Sequence, residues 1–344
     1  MTAYPLDIII PVWNRPVEVR AALAAFVAAS PQARLVMVNN GSERETESIL
    51  HEFAEALDDR ALLVAAERNI GSVAALNLGL AKSTAPLALV TTPFIKVEPG
   101  WFDAGASLFA TNPDAGSAAF RKNGGSASPT PLEADHGSFE AMLLRRALYD
   151  AIGGFDETMD GGEWALRDFA RRSFKGGFKT FSLSNKHIHF LQQRELGSAL
   201  RREERTALAR ESYIERWGEP STFLLNCPES LFGLQLDELK SALLHSVRQG
   251  NQLIVVAGSK IAKALLAGGF SNPHENITLQ PLPRFFSSKA LKKTVEQAAS
   301  NGPLTIIVSE AEIADKSLQS ISFSDFMLLT QQRSERYYQR GTNE

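Results

Sequence analysis

The sequence predicts an α/β protein with a doubly wound, Rossmann-like mixed sheet and a second, smaller α/β domain. Apolar segments of β type alternate with segments of helical period from the start of the chain. The apolar runs are continuous, which is typical of parallel strands buried on both faces. A length of 344 residues suits two domains. We expect residues 1–194 to form the first domain, 195–219 a charged connecting helix and 220–344 the second domain.

The first strand and helix follow from the apolar run at residues 8–12 and from Pro16. The run predicts a buried strand, and the alanine-rich segment Val17 to Ala29 predicts a helix, since proline favours a helix start. The alternation continues with strand Leu35 to Val38, helix Glu43 to Leu57, strand Leu62 to Ala65, helix Val73 to Lys82 and strand Leu87 to Thr91. Successive units of this kind place a ligand site at the carboxyl ends of the strands.

The pattern becomes less regular after Trp101. Residues 123–131, rich in glycine, serine and proline, are expected to form a loop. Acidic residues interrupt the arginine cluster of the segment Glu195 to Trp217, so we expect a solvated helix face there. The other expected elements are helix Phe102 to Ala110, strand Ser117 to Phe120, strand Met142 to Arg145, helix Glu163 to Phe174 and a strand from Lys179 to Phe190.

The segment after Pro220 repeats the alternation and predicts a small α/β domain whose role stays open. Its strand-turn-helix segment at Gly258 has one glycine of the dinucleotide-binding pattern G-x-G-x-x-G. An ordinary α/β turn explains a single glycine more easily, so a dehydrogenase is only the third hypothesis for this chain. The expected elements are helix Leu234 to Gln249, strand Leu253 to Ala257, helix Ile261 to Leu266, strand Ile277 to Leu279, helix Lys289 to Ala299 and strand Leu304 to Val308.

Composition and charge exclude several classes of protein. A net charge of −3 gives no basic field for nucleic acid, which we therefore do not expect as a partner. The single cysteine, Cys227, excludes an intrachain disulfide and a multi-thiolate zinc site, and it fits a reducing compartment. No signal peptide is recognised, and no apolar stretch reaches the roughly 18 residues of a transmembrane segment. We expect a cytoplasmic protein.

Five short motifs follow one another in the first 190 residues. They are Asp7 to Pro16, Val38 to Ser42, Arg68 to Gly71, Glu98 to Trp101 and Gly153 to Glu157. In this order they resemble the family 2 glycosyltransferases of the GT-A fold, and the resemblance covers a little over half of the chain. It implies that the first sheet is of the GT-A type and that this domain binds a nucleotide sugar.

The resemblance implies inverting transfer of a sugar from a nucleoside diphosphate sugar to an acceptor hydroxyl. The acceptor is left open and can be a saccharide, a lipid or a protein. Amide side chains can donate to and accept from a nucleobase edge, although Asn39 and Asn40 are equally typical of a simple turn. By position, the expected nucleotide contacts are Pro11, Asn14, Asn39, Asn40, Asn69 and Thr92.

The triplet Thr92-Pro93-Phe94 departs from the family pattern. In the family this strand ends in Asp-x-Asp or a variant, which binds a divalent metal beside the diphosphate. Mg or Mn prefers carboxylate oxygens, and the triplet supplies none. We therefore expect no metal ligands and a reaction that is metal-independent or weakly metal-dependent. The basic residues considered for the diphosphate charge are Arg121, Lys122, Arg145 and Lys186.

Trp164 is the second departure, because it occupies the position of the family's presumed general base. An indole cannot accept a proton, so the role passes to Glu163, Asp160 or Asp168, or is vacant. Glu163 is preferred, although a first-turn carboxylate favoured by the helix dipole explains it as well. Asp168 is five residues further and faces another side of the helix.

His187 and His189 lie where the family often has a histidine that supplements the metal site. A period of two puts both on one face of a strand. Because the carboxylate pair of the family's metal motif is missing, we expect ordinary surface or core histidines.

Two main hypotheses of different classes result. The first is an active glycosyltransferase, which the nucleotide-side motifs favour. The second is a catalytically inactive relative that keeps the fold as a binding or assembly module. It is motivated by the missing carboxylates at Thr92 and Trp164.

Overall fold

The computed structural model describes residues 4–121, 131–192, 198–230, 234–267, 270, 273–283, 287–300, 305–309 and 319–340. Lys122 and residues 123–130 of the loop expected at residues 123–131 lie outside these ranges. The chain divides into two compact units. The first comprises Met1–Pro131 and His136–Gly218, and the second comprises Leu132–Asp135 and Glu219–Glu344. None of the described helices is both long and apolar enough to cross a membrane.

Strands and helices alternate up to residue 218, largely as the sequence predicts. They are β1 (Leu6–Val12), α1 (Pro16–Ala29), β2 (Ala33–Asn40), α2 (Arg44–Leu57), β3 (Ala61–Ala66), α3 (Ser72–Lys82), β4 (Leu87–Thr91), β5 (Ile95–Val97), α4 (Asp103–Thr111), β6 (Ala115–Arg121), β7 (Leu132–Glu133), β8 (Ala141–Arg145), α5 (Arg146–Ile152), α6 (Trp164–Lys175), β9 (Lys179–Ser184), β10 (Ile188–Phe190) and α7 (Ala199–Trp217). The sequence does not predict β5, β7 and α5.

The large sheet of the first unit is mixed, as predicted. In its described part, the strands of this unit lie in the order β3-β2-β1-β4-β8-β6-β9. Strands β3, β2, β1 and β4 are parallel, whereas β8 is antiparallel to both β4 and β6. The order reverses beside β1, which lies between β2 and β4. Open α/β sheets bind ligands at such a reversal, at the carboxyl ends of the strands.

Helix α1 shows why the first helical segment folds as expected. Pro16 stands in its first turn, where a missing backbone N–H breaks no helical hydrogen bond. Its buried side chains recur at helical spacing and face the sheet, so burial of one stripe stabilises the helix. They are Val19, Ala22, Leu23 and Phe26.

The prediction of a single strand from Lys179 to Phe190 is wrong. Strand β9 ends at Ser184, and the Asn185 side chain then forms a turn by accepting a hydrogen bond from the His187 N–H at 2.8 Å. Asn185 Nδ2 also donates to the Trp101 carbonyl. After the turn, β10 pairs antiparallel with β5. The side chain competes with the strand for backbone hydrogen bonds, which explains the interruption.

Helix α7 packs against α6 within the first unit. Its buried residues Ala209, Tyr213 and Trp217 recur every four positions and form one stripe. The ring of Tyr213 lies 5.2 Å from that of Trp164 on α6. Most of the remaining α7 surface is charged, so the sequence alone does not reveal that this stripe is covered.

The second unit is a smaller α/β domain. Its described strands are all parallel and lie in the order β13-β12-β11-β14-β15. The short strand β7 belongs to this unit as well, because Leu132–Asp135 cluster with it. The elements are β11 (Thr222–Cys227), α8 (Leu234–Arg248), β12 (Gln252–Ala257), α9 (Ser259–Ala267), β13 (Ile277–Pro281), α10 (Ser287–Ser300), β14 (Thr305–Val308), β15 (Gln319–Ile321) and α11 (Phe323–Arg340).

Candidate functional site

A cavity of about 400 Å³ opens at the carboxyl ends of β1 and β4, where the order of the first sheet reverses. Its volume lies in the range of small-molecule sites. Residues that follow both strands line it, together with residues of β2, α3 and α7. The lining residues are Pro11, Val12, Trp13, Arg15, Asn40, Ser72, Leu76, Thr91, Thr92, Pro93, Phe94, Phe139, Arg202 and Arg205.

The turn after β1 has an unusual backbone. Asn14 and Arg15 are both left-handed, with φ of 57° and 65°. Asparagine tolerates this region, but for arginine it is uncommon. Asn14 holds the turn, because its N–H donates to Ser42 Oγ at 2.9 Å and its Oδ1 accepts from the Glu43 N–H at 2.8 Å. The turn leaves Trp13 in the cavity wall with 44% of its surface exposed.

The other predicted asparagines meet at the same edge of the sheet. Asn40 lies in the cavity wall, where its Oδ1 accepts from the Ile70 N–H at 2.9 Å and its Nδ2 donates to the Gly71 carbonyl at 3.1 Å. Asn69 Oδ1 accepts from the Gly71 N–H at 2.9 Å. Asn39 Oδ1 accepts a backbone hydrogen bond three residues further at 2.9 Å. These amides fix the shape of the turns that border the cavity.

Gly41 permits the close approach of these two turns. Its φ is 70°, and a Cβ built there would lie 2.4 Å from the backbone carbonyl carbon of Arg68. A side chain would therefore clash with backbone as well as strain the residue. The Val38 to Ser42 motif thus needs its glycine for packing.

Three arginines line the cavity, one from the turn after β1 and two from α7. They are Arg15, Arg202 and Arg205. Arg202 and Arg205 are three positions apart and so lie on the same side of the helix. Arg201 and Arg205 are exposed, as expected of a solvated face, whereas Arg202 is half-buried. The solvated face is nevertheless an incomplete description, because Arg202 and Arg205 both border the cavity. Their spacing was a usable signal, although only the packing of α7 shows which side meets the cavity.

The basic residues favoured by the sequence lie elsewhere. Arg121 donates to the His136 carbonyl at 2.9 Å. Arg145 donates to the backbone carbonyls of residues 109, 112 and 115. Neither of them, nor Lys186, belongs to the described lining of the cavity.

The end of β4 does not fit a divalent metal. The Thr91 hydroxyl donates to the Glu140 carbonyl at 2.7 Å, and Thr92 Oγ1 accepts from the Phe94 N–H at 3.4 Å. The described lining includes no Asp or Glu. Across the described ranges, no three His, Cys, Asp or Glu side chains come together in a way that could hold a metal ion. Hard cations need such oxygen ligands, so the residues present do not match the metal that the resemblance implies.

Glu163 immediately precedes α6 and is paired on both sides. Its Oε2 lies 3.1 Å from His136 Nε2, and its Oε1 lies 2.9 Å from the Arg167 guanidinium. The hydrogen bond from His136 outweighs partial burial and, with the charge of Arg167, lowers the pKa of the Glu163 carboxyl to about 2. The side chain is 46% exposed. Glu163 is therefore an accessible carboxylate that is ionised at neutral pH.

The side chain of Asp160, a residue that precedes α6 in the sequence, reaches the N-terminus of α3. Its Oδ2 accepts from the Ser72 N–H at 3.0 Å, and Ser72 lines the cavity. A Cβ at Gly71 would lie 2.7 Å from this oxygen, so glycine leaves room for the carboxylate. A helix N-terminus stabilises a negative charge. Of the three predicted acids, Asp160 is the one bonded to a residue of the cavity wall.

Asp168 is completely buried between α6 and α7. Its carboxylate accepts from Arg172 at 2.7 Å, Arg216 at 2.8 Å and the Trp217 indole at 2.9 Å. Trp164 packs nearby against Tyr213. These residues hold the cavity-lining helix α7 on the first unit, and Asp168 presents no surface to a substrate.

His187 and His189 both approach Glu98. The Glu98 carboxylate lies 3.1 Å from His189 Nε2 and 3.8 Å from His187 Nδ1. Both histidines therefore share one side of the β5–β10 ribbon, as the period of two predicts. Neither lines the described cavity.

A model of glycosyl transferase family 2 matches residues 7–169. GalNAc-T7 with UDP, GalNAc and Mn2+ is 12% identical with a TM-score of 0.52, over 62% of this chain and 49% of that chain. The mannosyltransferase PcManGT from Pyrobaculum calidifontis, in complex with GDP-Man and Mn2+, is 13% identical with a TM-score of 0.49, over 97% and 85%. At 12% identity, the likeness to GalNAc-T7 concerns the fold alone. No curated protein sequence matches the chain significantly.

Proposed function

We propose that the chain transfers a sugar from a nucleoside diphosphate sugar to an acceptor hydroxyl, and the match of residues 7–169 to the model of glycosyl transferase family 2 supports this proposal. The transfer proceeds with inversion and without a strong requirement for a divalent metal. The donor occupies the cavity between the ends of β1 and β4. This position agrees with the general rule for ligands of open α/β sheets.

The arginine-lined, carboxylate-free wall of the described cavity carries this proposal. A diphosphate leaving group develops negative charge as its bond to the sugar breaks. Guanidinium groups bind phosphate oxygens through paired, charge-assisted hydrogen bonds. The positive charge that a carboxylate-bound metal supplies in metal-dependent glycosyltransferases therefore comes here from Arg15, Arg202 and Arg205.

The nucleoside is placed against Trp13, Pro11 and Asn40. An exposed indole offers a face on which any base can stack. Asn14, Asn39 and Asn69 act indirectly, because their amides are engaged in shaping the two bordering turns. Thr92 contributes a neutral wall at the end of β4.

Glu163 is the proposed general base. The acceptor oxygen attacks the anomeric carbon, its proton passes to Glu163 Oε, and the bond from that carbon to the diphosphate oxygen breaks. The electron pair leaves with the nucleoside diphosphate, whose charge the arginines stabilise. A carboxylate with a pKa of about 2 is a weak base, so Asp160 at the cavity wall is the second candidate.

Calorimetry with UDP and GDP, in EDTA and then in Mn2+, tests donor binding. We expect saturable binding of one of them, with affinity changed by less than about tenfold on adding metal. Arg205→Ala should weaken it by about 10- to 100-fold, as for a lost charge-assisted hydrogen bond. Arg201→Ala, an exposed neighbour outside the cavity lining, is the matched control. Absence of heat with every nucleoside diphosphate overturns the proposal.

The second candidate function is a non-catalytic binding or assembly module. The observation that favours it is the engagement of every predicted acid: Glu163 with His136, Asp160 with Ser72 and Asp168 with Arg216. This candidate predicts nucleotide binding without turnover of any labelled nucleotide sugar. Turnover that disappears in Glu163→Gln contradicts it.

A further inference from the structure

The C-terminal half of α7 is anchored on the first unit by its side chains. Arg216 and the Trp217 indole donate to the buried Asp168 carboxylate at 2.8 and 2.9 Å. The ring of Tyr213 packs on α6. The arginines that border the cavity lie in the N-terminal half, where Arg205 is roughly 12 Å along the helix axis from Tyr213. These anchors therefore do not by themselves fix the end of the helix that meets the cavity.

The turn formed by Gly161 and Gly162 packs directly against the N-terminal half of α7. A Cβ at Gly161 would lie 2.6 Å from the Arg205 carbonyl oxygen and 2.9 Å from the Thr206 Cα. A Cβ at Gly162 would lie 3.1 Å from Thr206 Cγ2. Among residues 199–208, Arg202 and Thr206 are half-buried and the others are exposed. The helix backbone thus approaches this turn as closely as residues without side chains permit.

The turn itself is firmly held. The Gly161 N–H donates to the carbonyl of the completely buried Met159 at 2.8 Å, and the Gly161 carbonyl accepts from the Trp164 N–H at 3.4 Å. Asp160, immediately before the glycines, accepts from the Ser72 N–H at 3.0 Å. A side chain at Gly161 would therefore displace the helix whose backbone it meets, rather than the turn.

The approach of α7 is what requires glycine at position 161. Gly162 has a left-handed backbone with φ of 58°, whereas the φ of Gly161 lies outside that region. The three atoms nearest to a Cβ at Gly161 all belong to Arg205 and Thr206. The backbone conformation of residue 161 is open to any amino acid, so the space beside it is what excludes a side chain.

We propose that Gly161 is a positioning residue for the diphosphate of the donor. By admitting the backbone of α7, it brings Arg202 and Arg205 to the cavity wall. The nucleoside is placed against the turn after β1 and does not depend on this contact. The inference rests on the proposed function for the identity of the ligand. It predicts that a side chain at position 161 weakens the binding of the diphosphate and spares that of the nucleoside.

The first test compares ligands with and without phosphates on the full chain. In Gly161→Ala, we expect the affinity for UDP or GDP, measured by calorimetry, to fall about 10- to 100-fold, because arginine contacts to phosphate are lost. The affinity for uridine or guanosine, measured by ligand-observed NMR, should change less than about twofold, because the stacking surface stays in place. Thr206→Phe enlarges the same contact from the side of the helix. It should give the same difference and covers the case that Gly161→Ala does not fold.

Gly176→Ala is the matched control. Gly176 belongs to the first unit and has a φ of −75°, and the atoms nearest to a Cβ there belong to α5 and α6. It should leave both affinities unchanged. Unchanged diphosphate affinity in both Gly161→Ala and Thr206→Phe overturns the inference, as does an equal loss for nucleoside and diphosphate.

A variant without the two arginines shows whether Gly161 acts through them. In a chain that carries both Arg202→Ala and Arg205→Ala, adding Gly161→Ala should weaken diphosphate binding by less than about twofold, because the groups that it positions are already gone. A further loss as large as in the wild-type background contradicts the positioning role.

Amide hydrogen exchange of the full chain without ligand gives the second readout. In Gly161→Ala, the amides of residues 202–209 should exchange about tenfold faster than in the wild type, because local opening becomes easier where packing is lost. The amides of residues 213–217 should keep their rates, since their anchors are unchanged. Unchanged exchange at residues 202–209 contradicts the inference. If the wild type binds neither UDP nor GDP, the proposed function fails, and the exchange result still decides whether Gly161 positions the N-terminal half of α7.

Discussion

Each unit contains four parallel strands in the same order, but the two units differ in the residues at the ends of these strands. In each, the order reverses beside the first strand, at β1 between β2 and β4 and at β11 between β12 and β14. In the first unit these strand ends border a cavity of about 400 Å³ with three arginines. In the second unit they bond to each other, because Asn226 Nδ2 donates to Ser309 Oγ at 3.3 Å. Topology provides the location of a site, and the residues after the strands provide its chemistry.

The start of α9 makes the same point. Gly258 is the one glycine that hinted at a dinucleotide, yet a Cβ there would lie 2.8 Å from Glu229 Oε1. A carboxylate at this position opposes the phosphate that such a motif binds at a helix start. The dehydrogenase hypothesis therefore gains no support from the second unit.

Glu163→Gln is expected to have the largest effect, because it removes the proposed general base, which belongs to the first unit. Turnover of a labelled nucleotide sugar should fall by roughly 10²- to 10⁴-fold, the usual contribution of a general base. Nucleotide affinity measured by calorimetry should stay the same. Glu203→Gln, exposed on α7, is the control. Loss of turnover in Asp160→Asn with full turnover in Glu163→Gln would instead assign the base to Asp160.

Asp168→Ala tests whether α7 depends on the first unit. The change leaves Arg172, Arg216 and the Trp217 indole without their buried acceptor. We expect the free energy of unfolding of the first unit to fall by about 3–5 kcal/mol in denaturant titrations. Nucleotide affinity should fall with it, since α7 carries two cavity arginines. Asp150→Ala, at an exposed ion pair, should cost less than about 0.5 kcal/mol.

Acid should destabilise the second unit through His274. Burial lowers its pKa to about 4 from 6.5, outweighing the opposing charges of Glu133 and Asp135. As the pH drops from 6.5 to 4, the His274 imidazole binds a proton in the unfolded chain before it does so in the folded chain. The free energy of unfolding therefore falls by about 3 kcal/mol over this range. Denaturant titrations at several pH values measure this. His274→Asn should remove the slope, whereas exposed His51→Asn should keep it.

The smallest effects are expected for two residues at strand ends, Trp13 in the first unit and Asn226 in the second. Trp13→Ala should weaken nucleotide binding by about tenfold, because it removes a stacking surface. Asn226→Ala should leave that affinity unchanged and lower the stability of the second unit by about 1 kcal/mol, as for one hydrogen bond. Calorimetry and denaturant titration separate the two. Weaker nucleotide binding in Asn226→Ala would place a nucleotide in the second unit. It would contradict the view that only the strand ends of the first unit form a nucleotide site.

Local sequence predicted most of the fold of the first unit. The continuous apolar run of β1 and the spaced apolar residues of α1 each depend on neighbours close in sequence. The interruption at Asn185 escaped prediction, because its partner Trp101 is distant in the chain. Glu163 was a candidate from the start, but its partner His136 was not, since the sequence gives no signal for a contact across 27 residues.

The sequence by itself determined the alternation of strands and helices, the family motifs and the absence of carboxylates from Thr92-Pro93-Phe94. These features depend on local period and on residue type. Tertiary structure alone decided which charges meet the cavity, because Arg202 and Arg205 reach it only through the packing of α7 around buried Asp168. It also decided that Leu132–Asp135 belong to the second unit. Long-range packing brings together residues that no local pattern connects.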